Sequence, residues 1–445
     1  MRERLRAGVL VVGAGPAGLA AALSAARAGA DTLLVERFGS AGGCLTQGLA
    51  LTPIGFEPFR DWARPTDPDT WKVQGIAREL HDRMAAEGAI CKPLWDVETY
   101  KRLTDQMLQS AGVRLMLHAQ CVEARTLNGR VVGAVLATKA GLLEVEAAVC
   151  IDASGDGDLF ARAGAAFDVG REEDGRPQPM TLATVFGNVR IPWPAGASYA
   201  EKMAFSQATI SPVLRRAWEQ GEIPPIFTAI LFPRVAYGGV VFDDQVVTRM
   251  VQVWGDPTDP DALTRAELES REIAWKLLAF LRRAIPGCEG AVLLQSSTAV
   301  WPRESRRLRG LVQLTEADVR HNRRRDDGIA HGTGFLEAHS ATPGNPNAEK
   351  GLEWDKQASL IFADVDYDIA YGCLVPETVD GLLVAGRCMS ASHIAQSSSR
   401  MQATSMALGE AAGRAAALCV ARTLQPREVD VRDLQHLLRQ QNAHV

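Results

Sequence analysis

An α/β fold with two domains is predicted for this chain of 445 residues, and three observations predict it. The N-terminus reads as strand, glycine-rich turn, helix and strand. Further on, a run of short strands closes on the small-residue turn "ASGDGD". Between about residues 166 and 295 the pattern changes to β-branched runs and one long charged helix, as in an α+β domain built on an antiparallel sheet. With 47% hydrophobic residues the chain can bury a sizeable core.

The N-terminal unit carries the sharpest signal. "VLVVG", residues 9–13, is continuous and β-branched, as a buried parallel strand is. Gly13-Ala14-Gly15-Pro16-Ala17-Gly18 follows, then a run of good helix formers ending at Gly29, a fitting C-cap. "TLLVE" is the second strand and ends at Glu36. This is G-x-G-x-x-G in the context its chemistry requires, a Rossmann-like dinucleotide site. Gly13 makes the tight turn, Gly15 lets the backbone approach a pyrophosphate, and Gly18 lets helix and strand pack closely. Pro16 and Ala17 open the helix, whose N-terminal N–H groups and partial positive charge face the phosphates. Glu36 is placed to accept hydrogen bonds from ribose hydroxyls and disfavours a 2′-phosphate, which favours FAD or NAD over NADP.

The next segments favour FAD. In "RFGSAGGCLTQG" a second glycine pair, Gly42-Gly43, comes before any new helix, with Thr46 and Gly48 beyond it. Such a loop suits close approach to a dinucleotide that extends past the pyrophosphate. Residues 113–159 read as four or five short strands, with a hairpin signal at Asn128-Gly129 and a weaker turn at Ala140-Gly141. The last of them, "AAVCIDA", runs into Ser154-Gly155-Asp156-Gly157. A β-meander followed by that turn typifies FAD domains of the glutathione-reductase type.

Five segments together carry a resemblance: "VVGAGPAGLAAALSAARAGADTLLVER", "GGCLTQG", "VCIDASGDGDLFARAGA", "WPRESRRLRGLVQLTEADV" and "CLVPETVDGLLVAGRCMSASHIAQSSSRMQATSMALGEAAGRAAAL". By these the chain resembles the FAD-dependent oxidoreductase family, and more distantly fumarate reductase flavoproteins and ketosteroid dehydrogenases. The resemblance implies FAD as cofactor and assigns roles by position. Gly13, Gly15 and Gly18 match the pyrophosphate turn, and Glu36 and Arg37 the adenosine ribose contacts. Gly43 and Thr46 lie where the family loop passes the flavin side. Val122 matches the position whose backbone holds the adenine. Ala153, Gly155 and Asp156 belong to the small-Gly-Asp turn near the dinucleotide, and Gly386 and Arg387 to the second FAD-binding strand end. There are two departures. Gly372 stands in "AYGCLVP" where the family often has arginine, and "EAH" replaces its Asp-Ile-His step at His339.

On this reading the FAD-binding domain is discontinuous, formed by residues 1–58, 99–165 and 296–445. Residues 166–295 form the substrate domain, and 59–98 supply a loop and an amphipathic helix covering the site. "DPDALTRAELESREIAWKLLAFLRRAIPG" is a long helix with an acidic start and a basic end, as the helix dipole prefers. The basic run "RHNRRRDD" reads as a solvated helix face. "MQATSMALGEAAGRAAALCVARTL" reads as a small-residue helix from near Thr404, its N-terminus pointing at the flavin. Gly409 and Gly413 inside it imply close packing on the cofactor or on another helix.

Composition excludes other classes. The net charge of −5 gives no basic face for nucleic acid. The glycines and proline that interrupt the N-terminal apolar run belong to the nucleotide motif, so neither signal peptide nor membrane anchor is expected. The eight cysteines form no C-x-x-C, and the eight histidines no metal-ligand spacing. That pattern predicts no metal site and a reduced, cytoplasmic protein; a homo-oligomer is compatible with it.

From Gly381 to Gly409 there is no acidic residue, yet Arg387, His393 and Arg400 lie there. Arg400 is a candidate for binding a substrate carboxylate or carbonyl, and His393 for acid–base work near neutral pH. His339 and Tyr371 are further catalytic candidates, and Arg303 and Arg306 candidates for reaching the pocket. For each, the bland reading is an ion pair with an acid distant in sequence. The leading expectation is an FAD-dependent dehydrogenase or oxidase that takes a hydride from a small organic substrate onto flavin N5. Oxygen or a redox carrier would be the acceptor. The alternative is a non-catalytic or electron-relay flavoprotein subunit.

Overall fold

The computed structural model describes residues 3–49, 54–56, 67–91, 94–224, 231–342 and 364–445. Strand β1 (Glu3–Val12), helix α1 (Pro16–Arg27) and strand β2 (Thr32–Val35) form the N-terminal unit. Helix α1 stops where expected. Gly29 takes φ +89°, and the Ala30 N–H reaches back to the Ala25 carbonyl at 3.1 Å, the six-residue bond of a Schellman cap. Helices α2 (Ile76–Ala86) and α3 (Val97–Ser110) lead to β3 (Arg114–Met116), and the meander β4 (Gln120–Leu127), β5 (Arg130–Thr138), β6 (Gly141–Asp152) follows. Asn128 and Gly129 both take positive φ between β4 and β5, as a two-residue hairpin turn of type I′ demands.

These strands share one sheet in the order β3-β2-β1-β6-β5-β4. Strand β6 has two halves with different neighbours. Its first half pairs antiparallel with β5; its last three residues pair in parallel with Leu382–Val384, and β1 runs parallel along most of its length. A parallel sheet and a meander are therefore welded through one strand.

The second sheet is antiparallel and centres on β7 (Met180–Gly187). Its other strands are β8 (Phe232–Ala236), β9 (Val240–Val253), β10 (Val292–Ser296) and β11 (Trp301–Pro302). It thus extends past residue 295. The long helix α4 (Pro260–Ala284) is capped by the Asp259 carboxylate, which accepts from the Asp261 N–H, and it buries Ile273, Ala274, Leu277 and Leu281 against the sheet's apolar cluster. Helices at Tyr199–Phe205 and Ser211–Glu219, unexpected from the sequence, also belong to this part.

An antiparallel pair, β12 (Gly328–Phe335) and β13 (Asp364–Ala370), precedes β14 (Leu382–Val384), helix α5 (His393–Ser399) and helix α6 (Gln402–Arg422). Helix α6 starts two residues before Thr404, and the stretch before it contains α5, whose N-cap Ser392 accepts from the Ala395 N–H. Gly409 and Gly413 are explained by α1. A Cβ on either would penetrate the carbonyl oxygen of Ala17 or Ala21, so the two helices touch backbone to backbone.

Other expectations are corrected. "RHNRRRDD" is not a helix face. Its helix ends at Arg320, and beyond it Arg323 pairs with Asp318 and Arg324 with Asp366 and Asp368. Of the segment expected to cover the site, residues 59–66 and 92–93 lie outside the described residues. None of its described residues lines the cleft found below; α2 instead packs on α6, where its first N–H meets Glu410. No helix among the described residues is long and apolar enough to cross a membrane.

Candidate functional site: a dinucleotide cleft with an arginine-lined end

A cleft with about 1490 Å³ of open space, the solvent at its mouth included, runs past the C-terminal ends of β1, β2, β6 and β14 and on towards the second sheet. Strand ends at such a sheet edge are where α/β folds place ligands. The glycine turn is built as its spacing implies. Gly13 takes φ +92°, and a Cβ there would lie 2.6 Å from the Ala153 oxygen. A Cβ on Gly18 would enter the Gly13 carbonyl, so that residue seats α1 on the turn and does not itself line the cleft. Gly15 differs from both. Its φ of −65° suits any residue, and the nearest protein atom to a Cβ there would be Gly43 Cα at 4.0 Å. Neither backbone nor packing requires glycine at that position. A pyrophosphate would lie against the turn there, where a side chain would stand in its way.

Around this turn the cleft is lined by Pro16, Ala17, Glu36, Arg37, Gly43, Ala153, Gly155, Asp156, Gly386 and Arg387. Glu36 is buried, with one carboxylate oxygen accepting the Ala14 N–H at 2.8 Å and the other the Phe38 N–H at 3.0 Å. The clamp aims the carboxylate and leaves further lone pairs for ribose hydroxyls. Thr46 lies behind the lining, its hydroxyl donating to the Ala41 carbonyl at 3.0 Å, and so shapes the loop. Val122 is also outside the lining. Its carbonyl accepts from Arg162, and Ala119, Gln120 and Cys121 line the cleft instead. The residues present thus fit FAD. Glu36, Arg37 and Ala119–Cys121 would hold the adenosine end, Gly13–Ala17 and Gly155 the pyrophosphate. Gly43, Cys44 and the start of α6 would hold the flavin end.

The cations near the C-terminus do have acidic partners, all remote in sequence. Arg387 meets Asp156 at 2.8 Å. Burial pushes the Asp156 carboxyl up, but Arg387 and Arg37 bring it below its usual value, so the pair is ionised at the cleft wall. His393 is buried with Nδ1 2.8 Å from Glu304, which also takes Arg307 and the Gln178 N–H. Neither His393 nor Glu304 lines the cleft, so the expectation that His393 faces the reacting centre is corrected. Tyr371 is corrected likewise: its hydroxyl donates to the Pro426 carbonyl at 2.8 Å, in the core and away from the cleft. Arg306 donates to the Asp156 carbonyl at 3.1 Å and sits outside the lining.

Arg400 lines the cleft, and it has company. Arg249 from β9, Arg303 after β11 and Glu337 after β12 line the same end of the cleft. Arg400 donates to the carbonyls of Arg303 (3.1 Å) and Glu337 (2.9 Å), with the Glu337 carboxylate at 3.6 Å. Burial pushes the Glu337 carboxyl up, but His339, Arg400 and Arg303 more than offset it and hold it at about 2. His339 sits behind Glu337, Nε2 at 3.4 Å, and burial and Arg303 push it down to about 3. At neutral pH it is therefore a neutral imidazole. Gln252 lies on its Nδ1 side at 3.2 Å and the Glu337 carboxylate on its Nε2 side. His339 backs the carboxylate and lies outside the lining. Arg249 had a sequence signal, a lone charge inside the β-branched run "VVTRMVQVW", and Glu337 opens the "EAH" step; neither was singled out.

The family model for FAD dependent oxidoreductase matches residues 8–438. Digeranylgeranylglycerophospholipid reductase 1 of Methanopyrus kandleri is 34% identical over 160 residues, covering 33% of this chain and 39% of that protein, well under half of its length. Among solved structures, the geranylgeranyl bacteriochlorophyll reductase-like protein of Thermoplasma acidophilum is 14% identical. That match covers 99% of this chain and 85% of the other, with a TM-score of 0.47. The myxobacterial chondrochloren halogenase is 15% identical, covers 98% and 79%, and has a TM-score of 0.42. With a family match over nearly its whole length and a cleft whose residues fit the cofactor, the chain belongs to the FAD-dependent oxidoreductase family.

Proposed function

We propose that this FAD-dependent oxidoreductase takes a hydride from a small organic substrate, bound at the arginine-lined end of the cleft, and passes the electrons to oxygen or a redox carrier. The observation that carries the reading is the continuity of one cleft from the dinucleotide turn at Gly13–Ala17 to Arg249, Arg303 and Arg400. Bound FAD supplies a hydride acceptor at flavin N5. The chain's own residues do the rest. Arg400, pinned by two backbone carbonyls, presents a fixed positive edge to substrate. The N-terminus of α6, at Met401 and Gln402, lines the flavin end, where helix N–H groups favour negative charge. The dispersed spacing of the cysteines supports work in the cytoplasm.

The purified protein is expected to absorb near ~450 nm and to release FAD on denaturation. Anaerobic addition of a substrate from a panel of small organic acids and alcohols bleaches that band, and admitting oxygen or an artificial acceptor restores it. Arg400→Ala slows bleaching by about 100-fold while FAD stays bound. Protein free of FAD would sink the cofactor assignment, and full-speed bleaching in the variant would sink the role of Arg400.

A further inference from the structure

The structure assigns a carboxylate-binding site to the far end of the cleft: we infer that the substrate is an organic acid whose carboxylate lies among Arg249, Arg303 and Arg400. This deepens the proposed function and rests on it.

Three features of the cluster carry the inference. First, its members come from three separate parts of the fold. Arg249 stands on β9 of the second sheet, Arg303 follows β11, and Arg400 bridges α5 and α6. No local sequence need brings them together, yet all three line the cleft, Arg400 donates to the Arg303 carbonyl, and Arg303 feels the charges of both others. Second, that end of the cleft is cationic. Three guanidiniums and one carboxylate, Glu337, are the charged groups at this end among the described lining residues, and His339 behind Glu337 is neutral. Third, the guanidiniums are taken out of water beside one another. Arg303 is 3% exposed, and burial followed by the nearby charges of Arg400 and Arg249 pushes it well below the usual arginine value; burial holds Arg400 at about 10. Guanidinium is the side chain least able to shed its charge, so like charges held together in a cleft are relieved by an anion between them.

The neighbouring network shows what a purely structural arrangement looks like here. Glu304 with His393 and Arg307 is buried behind the wall and faces no cleft. The Glu337 carboxylate, in an ion pair with Arg400 at 3.6 Å, shows that the cluster already accommodates one carboxylate. Planar guanidinium forks match a planar carboxylate bidentately. Glu337 then acts as the competing resident anion, which keeps the cluster from holding every passing anion tightly.

The test is calorimetric titration of the FAD-loaded protein with propionate and succinate, against propionamide and inorganic phosphate. Both carboxylates are expected to bind saturably and propionamide not at all. Arg249→Met is expected to weaken propionate binding about tenfold or more, at unchanged FAD content. Glu337→Gln is expected to do the opposite and tighten it several-fold, so a loss of binding through misfolding cannot mimic the pair of results. FAD-loaded protein that binds amide as well as acid, binds phosphate alone, or binds propionate no more tightly in Glu337→Gln overturns the carboxylate site and leaves the flavoenzyme reading standing. Protein that never carries FAD overturns the reading beneath it.

Discussion

A Cβ on residue 15 would project into open cleft, whereas one on Gly18 would collide with the turn beneath it. The two glycines of one motif therefore answer to different demands. Gly15→Ala is expected to leave the stability of the FAD-free protein within about 0.5 kcal/mol and to weaken FAD binding by roughly tenfold or more. Gly18→Ala is expected to cost about 1–3 kcal/mol of folding stability through overpacking. Denaturant unfolding of the stripped proteins and FAD titration by fluorescence quenching separate the two. At this scale the cofactor cradle was legible because a fixed spacing of glycines and one acid encodes it. The arginine end was half legible. Arg400 stood out for its lack of a local acid, while Arg249 and Glu337 carry no spacing rule and meet only in the fold. His393 misled for the same reason: its partner Glu304 lies far away in sequence, and no local pattern announces a buried pair.

Helix α2 begins at Gly75, which offers no side chain to cap it, and the cap comes from another element. Glu410 on α6 accepts the Ile76 N–H at 2.9 Å, and a Cβ on Gly75 would collide with that carboxylate. The group is 3% exposed, and burial raises it from 4.5 to about 7, against the pull of the Ile76 N–H and Arg27; Glu79 adds to the rise. A raised carboxyl binds its proton in the folded state first. Its contribution to stability is full below about pH 4.5 and falls as pH rises through about 7, by up to about 3 kcal/mol. Glu410→Gln keeps an acceptor for Ile76 and removes the ionisation. It is expected to flatten stability between pH 5 and 8, roughly, and to raise it at the alkaline end, as read by thermal unfolding across pH. Elements were predicted well where period and caps coincide, as in α1, α4 and the β4–β5 hairpin. They were missed where small polar residues hide a helix, as in the Ser-rich α5, whose helicity comes from its Ser392 cap and burial.

At the scale of the whole molecule the cleft draws its lining from Val12 to Ser405, and from both sheets. A ligand bound across it ties distant segments together, so stripping FAD is expected to lower the unfolding temperature. Re-adding it at about a hundredfold excess over its dissociation constant returns roughly 2.7 kcal/mol. A stripped protein as stable as the loaded one would mean that the cleft does not hold the cofactor. The two-sheet architecture was legible from the change in strand pattern near residue 166. The edge of the second sheet was not, because β11 is too short for any periodicity to mark it. The backbone contact between α1 and α6 joins positions roughly 390 residues apart. On a ribosome adding about 5–20 residues per second, α1 leaves the exit tunnel some 20 to 80 seconds before its partner is made. Throughout that interval the face of α1 that meets α6 lacks its partner, so stalled nascent chains that end before α6 are expected to be cut by protease within α1 faster than the complete protein.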